Sequence, residues 1–225
     1  MTTRLDDLTG DGGAAIASLT AGYRPLPGIY DEMVDSAGGV RAHWLPLLAA
    51  FARLGAEGLE RRFALADQHL ASSGVFYRVY EDRNSVARAY RLSHVPLIVS
   101  ADDWVHISAG LSQRADLLET ILADAYGAGG LFASGRLPAA LVAGSPEYLR
   151  PLRGVRPRSG RHLNFYAADI GRDAQGRWWV LRDRTQAPSG TGYALENRIA
   201  LSRGLGEIFR SYGVERLASY FDSMR

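Results

Sequence analysis

The chain has 225 residues, 47% of them apolar, with 26 basic against 24 acidic side chains and a formal charge of +2. That size fits one large folded domain or two small ones, and the charge is too small to argue for nucleic acid. No run approaches the ~20 apolar residues of a membrane span, the start MTTRLDDLTGDGG is not a secretory signal, and a cytoplasmic protein is the default.

In chain order, residues 1–22 are polar and rich in Gly, Ala and Thr, and read as a mobile N-terminal arm or a short helix around Ile16 and Leu19. The two prolines of RPLPG at 24–28 make an extended entry. Two helices follow. Trp44, Leu47, Leu48, Phe51 and Leu54 share one helical face, and Leu59, Phe63, Ala66 and Leu70 do so over 56–72. Alternation predicts a strand at 75–80, a turn at 82–85 and a second short strand at 87–92, while 95–99 reads as a buried strand. Ser100 and Asp103 have capping spacing ahead of a long helix, with Trp104, Ile107, Leu111, Ala115, Leu118 and Leu122 as its apolar stripe. Residues 131–161 form a proline-broken loop carrying Arg150, Arg153, Arg156, Arg158 and Arg161, either a solvated loop or a phosphate clamp. Strands at 163–170 and 177–183 flank DAQG at 173–176, a hairpin signal. Helices are expected at 193–212 and from 214 onward. The resulting fold class is α+β, a mixed β-sheet or hairpin flanked by helices. It forms one domain over 23–225, with a helix-rich part at 23–130 and the hairpin and C-terminal helices at 131–225.

Two residue types are missing. Without Cys there is no thiol nucleophile, disulfide or thiolate metal site. All 26 basic residues are Arg, so there is no Schiff-base, P-loop or general-base lysine, and the cations can bind anions without exchanging protons. His43, His69, His94, His106 and His162 lack metal-ligand spacing and read as structural. No GxSxG, P-loop or post-strand GxGxxG occurs.

The hairpin concentrates charge. If its loop has an even number of residues, paired residues have opposite parity, and Asp169 shares a face with Arg182 and Arg184. These lie beside the bend APSGTG at 187–192, where a glycine turn entering a helix exposes N–H groups that favour anions. The alternative is a surface salt bridge followed by an ordinary turn.

Several segments together carry a resemblance: YDEM at 30–33 with His43 and PLL at 46–48, GLSQR at 110–114, LADAYG at 122–127, ADIGR at 168–172, WWVLRDRTQAPSG at 178–190 and GYALENR at 192–198. Their order and spread resemble the N-terminal half of the circularly permuted type 2 ATP-grasp family, in the branch often joined to an alpha-E region. The resemblance implies a fold related to glutathionylspermidine-synthase-like enzymes, which join a carboxylate to an amine through an acyl phosphate with ATP and Mg²⁺. It implies a metal role for Asp169 and ligand-binding roles for Ser189, Gly190, Glu196, Asn197, Arg198 and, on the long helix, Arg114. Where catalytic branches read Glu-Asp-Asn, this chain has Arg182, Asp183 and Arg184. Guanidinium groups offer Mg²⁺ no oxygen, so the metal role does not carry over to Arg182 or Arg184. The implied partners are a small-molecule ligand or nucleotide and a C-terminal ATP-grasp half or a second copy. The expected function is that of a ligase-like protein, incomplete or degenerate as a single chain. The rival is a non-catalytic anion- or nucleotide-binding or interaction module.

Overall fold

A computed structural model describes residues 11–81 and 84–224. Residues 82 and 83 of the predicted turn at 82–85 fall outside them, as does the first part of the N-terminal arm, while Asn84 and Ser85 are strand residues. Contacts divide the chain into two units, a helical unit (residues 1–98 with 189–225) and a hairpin unit (residues 99–188), instead of at residue 130.

In the helical unit, α1 (Asp11–Thr20) turns the second half of the expected arm into a helix, because Ile16 is buried in the core. The two helices expected next are one element, α2 (Leu45–Ser72), broken at Gly55, whose φ of 64° is open to glycine at little cost. A short antiparallel ribbon follows, β1 (Phe76–Glu81) with β2 (Asn84–Ala89). The buried strand expected at 95–99 does not form. Val95 and Leu97 are exposed, Pro96 has no N–H to donate to a ladder, and only Ile98 packs on the core.

The long helix α6 (Thr191–Tyr212) lays Leu201 and Leu205 against Trp44, Leu47, Leu48 and Phe51 of the α2 region. Contact is close enough that a Cβ on Gly204 would lie 2.6 Å from the Arg62 carbonyl oxygen. The Tyr212 hydroxyl accepts from the Leu47 N–H at 2.7 Å and donates to the His43 carbonyl at 3.0 Å, which satisfies a first-turn donor of α2. Burial raises the Tyr212 phenol to about 12. After Gly213 the expected terminal helix is only α7 (Ala218–Asp222).

In the hairpin unit, α3 (Ala101–Tyr126) starts as predicted, with the Asp103 N–H donating to Ser100 Oγ at 3.1 Å. Its stripe is covered from Ile107 onward, but Trp104 is exposed. The loop contains only the short turns α4 (Gly130–Ala133) and α5 (Ala140–Ala143) and a 3-10 turn. Then β3 (Ala167–Arg172) pairs antiparallel with β4 (Trp178–Arg184). Among the described residues the sheets are two separate two-stranded antiparallel ribbons, one in each unit, within the expected α+β class.

Candidate anion-binding face

The turn of the β3–β4 hairpin does not meet the condition that the parity argument set. The Asp173 N–H donates to the Arg177 carbonyl at 3.0 Å, leaving three residues, 174–176, with Gly176 at φ 80°. Next to this odd loop, Arg172 pairs with Trp178 and Ile170 with Val180, residues of equal parity. Continued unbroken, that register would put Asp169 opposite Leu181 and on the face of Asp183. It is broken by a bulge, and beyond it Asp169 pairs with Arg182, Ala168 with Asp183 and Ala167 with Arg184. The extra residue is Leu181, exposed, with its Cδ1 over Gly171 where a Cβ would come to 3.2 Å. The acid and the two cations therefore do share a face.

On that outer face the Arg184 guanidinium forks onto Asp169, Nε–Oδ1 at 3.1 Å and Nη2–Oδ2 at 2.8 Å. Arg184, first, and then Arg182 hold the Asp169 carboxyl below its usual range. The Arg182 side chain is exposed and makes no hydrogen bond among the described residues. The chemistry does not fit Mg²⁺. Both oxygens of the lone carboxylate already accept from a guanidinium, and the described residues contain no group of three His, Asp or Glu able to hold a metal. What remains is a cationic surface suited to phosphate or carboxylate oxygens.

The opposite face is structural. Asp183 turns away from Asp169, as alternation predicts, and takes Arg114 of α3 in a fork at 2.6 and 2.7 Å and the Tyr166 hydroxyl at 2.7 Å. Burial, with help from Asp183, pushes the Tyr166 phenol up to about 12. Arg114 thus does not join Asp169, Arg182 and Arg184. Toward the hairpin turn, Arg172 donates to Asp103 at 2.6 Å and lies 4.0 Å over the Trp178 ring, whose Nε1 also reaches Asp103. Trp179, on the other face, is half-exposed and donates to Asp173. A groove of about 520 Å³ between α3 and the hairpin is lined by Ile107, Leu111, Ile170, Trp178 and Val180 together with Gln113 and Arg114, and Asp169, Arg182 and Arg184 do not line it.

The other predicted residues belong to the helical unit. Gly190 is the N-cap of α6 at φ 110°, with Ser189 exposed before it and no side chain capping the first turn. Just ahead of Pro188, Ala187 is held at φ 39°, a strained setting for a residue with a Cβ. Glu196 accepts from His69 at 3.2 Å, Asn197 donates to the Tyr90 hydroxyl at 2.9 Å, and Arg198 donates to the Glu215 carbonyl at 2.9 Å. Of the histidines, His69, His94 and His162 sit against Glu196, Asp67 and Glu119, as structural residues do. Sequence reasoning missed the Asp103–Arg172–Trp178 cluster and the bulge. The cluster has a signal in the capping Asp103, but the bulge has none in residue type.

A model of the circularly permuted ATP-grasp type 2 family matches residues 96–225. The chain belongs to this family. It is 31% identical, across 95% of its length, to an uncharacterized protein of Mycobacterium tuberculosis, covering 26% of that protein. It is 31% identical across 85% of its length to an uncharacterized Synechocystis protein, covering 40% of it. It is 35% identical across 87% of its length to a Frankia casuarinae protein that carries glutamate–cysteine ligase in its name, covering 22% of it. The chain thus spans between about a fifth and two-fifths of these relatives. No helix among the described residues is long and apolar enough to cross a membrane.

Proposed function

We propose that this ATP-grasp chain holds an anionic group, a nucleotide phosphate or a substrate carboxylate, on the outer face of its hairpin, as one share of an ATP-dependent carboxylate–amine ligase. The observation that carries this reading is the pairing of Asp169 with Arg184 while Arg182 is left exposed without a hydrogen-bond partner among the described residues. A metal ion is repelled there, whereas a fork of N–H donors matches an oxyanion. The uncapped start of α6 at Gly190 and Thr191, after Ser189, offers further N–H donors in the helical unit. Glu196, Asn197 and Arg198 of the same helix are assigned to ligand binding through the family motif. The metal ligands and the remaining nucleotide contacts are assigned to a second ATP-grasp part, consistent with the fraction of each relative that this chain covers.

The test is calorimetric titration of the chain with ATP in Mg²⁺ and in EDTA, followed by ADP release after adding the C-terminal part of a longer relative. Binding that survives EDTA and weakens about tenfold in Arg182→Ala is expected. Binding strictly dependent on Mg²⁺, or unmoved by Arg182→Ala, overturns the assignment. The same arginines also favour a second reading, a non-catalytic anion-binding module. ADP release in the mixture supports the ligase share, and binding without release supports the module.

A further inference from the structure

Both long helices of the helical unit are interrupted. In α2 the break is Gly55, at φ 64° and ψ 176°; in α6 it is Leu205, at φ −122° and ψ 30°. Each interruption gives up helical hydrogen bonds, and the two fall on helices in direct contact, where Arg62 of α2 donates to the Gly204 carbonyl beside the α6 break at 3.0 Å. A cavity of about 450 Å³ is lined by residues of α2 and α6, among them Leu54, which precedes the α2 break, and Leu205 at the α6 break. That volume is in the range of small-molecule sites, roughly 300–1,000 Å³.

The lining has two chemistries. Ala49, Leu54 and Ile208 form an apolar wall, while Arg53, Glu207 and Ser211 supply polar groups beside Arg62, whose guanidinium is engaged with the Gly204 carbonyl. Arg53 and Glu207 carry opposite charges and face the same cavity, yet they make no ion pair with each other or with any other described residue. A cation and an anion that line one part-apolar cavity without pairing are complementary to a molecule with its own anion, cation and apolar body. A guanidinium accommodates a carboxylate by a two-point fork, and a carboxylate accepts from an ammonium.

We infer that this cavity is a binding site for a free α-amino acid with an apolar side chain, its carboxylate on Arg53, its ammonium on Glu207 and its side chain against Leu54 and Ile208. The site lies wholly within the helical unit and does not rest on the anion-binding role proposed for the hairpin, so either assignment can fail without the other.

Saturation-transfer NMR on the whole chain tests it, with L-leucine, L-methionine and L-phenylalanine as probes and their N-acetyl and amide derivatives as single-charge controls. Saturable binding is expected for at least one free amino acid and not for its two derivatives. Arg53→Gln and Glu207→Gln, both at exposed positions, should each weaken it about tenfold while leaving the circular dichroism spectrum unchanged. Absence of saturable binding for all three amino acids overturns the inference. So does equal binding of the derivatives, or binding that neither substitution moves.

Discussion

The two units are held together by different physics. In the helical unit, Trp44, Leu45, Leu47, Leu48, Phe51, Leu201 and Leu205 form a continuous apolar cluster, and polar contacts such as Tyr212 on Leu47 finish helix ends. In the hairpin unit only Ile107, Ala125 and Leu163 are buried among the described apolar residues. Its elements are joined instead by charged hydrogen bonds: Asp103 to Arg172, Arg114 to Asp183, and Glu119 to the backbone N–H groups of His162 and Leu163. A two-stranded ribbon is marginal alone, and here packing against α3 through such bridges supplies the missing stability. A unit held this way keeps its outer face free of apolar packing requirements, so Arg182 and Arg184 can stay exposed.

This contrast can be broken from either side. The largest effect is expected for Leu47→Ala, which empties one of the most deeply buried sites of the helical unit and should cost about 3 kcal/mol in a denaturant titration. A cost below about 1 kcal/mol would show that the apolar cluster does not carry that unit.

Next is Asp103→Asn. The Arg172 side chain is only 8% exposed, and the substitution removes the carboxylate charge that this nearly buried guanidinium meets at 2.6 Å. The fully buried case costs ~3–5 kcal/mol, and partial exposure of Asp103 reduces the expectation to about 2 kcal/mol. The loss should be read through Trp178 fluorescence, with Leu47→Ala leaving that signal comparatively unmoved.

The smallest effect is on pH dependence. Burial raises the Asp103 carboxyl, but Arg172 and its other donors outweigh this and hold it below 3.8; Glu119 is likewise held below 4.5 by the Leu163 and His162 N–H groups against burial, and Asp183 below 3.8 by Arg114. A depressed carboxyl adds stability that is present above the unfolded pKa and lost as pH falls through the folded one. The hairpin unit should therefore loosen below about pH 4 before the helical unit does. Hydrogen exchange at the Leu163 amide, compared with Leu205, checks the order. Simultaneous loss would place the two units in one cooperative transition.

Much of this was legible in the chain itself. Capping spacing located the start of α3, helical periodicity marked both halves of α2, and the glycine-bearing DAQG segment marked the hairpin. These signals are local, set by backbone capping and by the repeat of apolar residues along one element. The 95–99 segment misled because a short apolar run reads alike whether it pairs in a sheet or skirts a core. The pairing of Arg114 with Asp183 was not legible because the two are 69 residues apart, a distance that residue type does not announce.

The sequence by itself determined the family, most of the helices and the hairpin, since all of these reside in residue identity and near-neighbour spacing. Only the tertiary structure decided which side chains share the ribbon's outer face. An odd turn alone would have aligned Asp169 with Asp183, and the single extra residue at Leu181 turned it to Arg182 and Arg184. Strand faces alternate with a period of two, so one unpaired residue reverses every assignment beyond it, and nothing in composition or local propensity records where that residue falls.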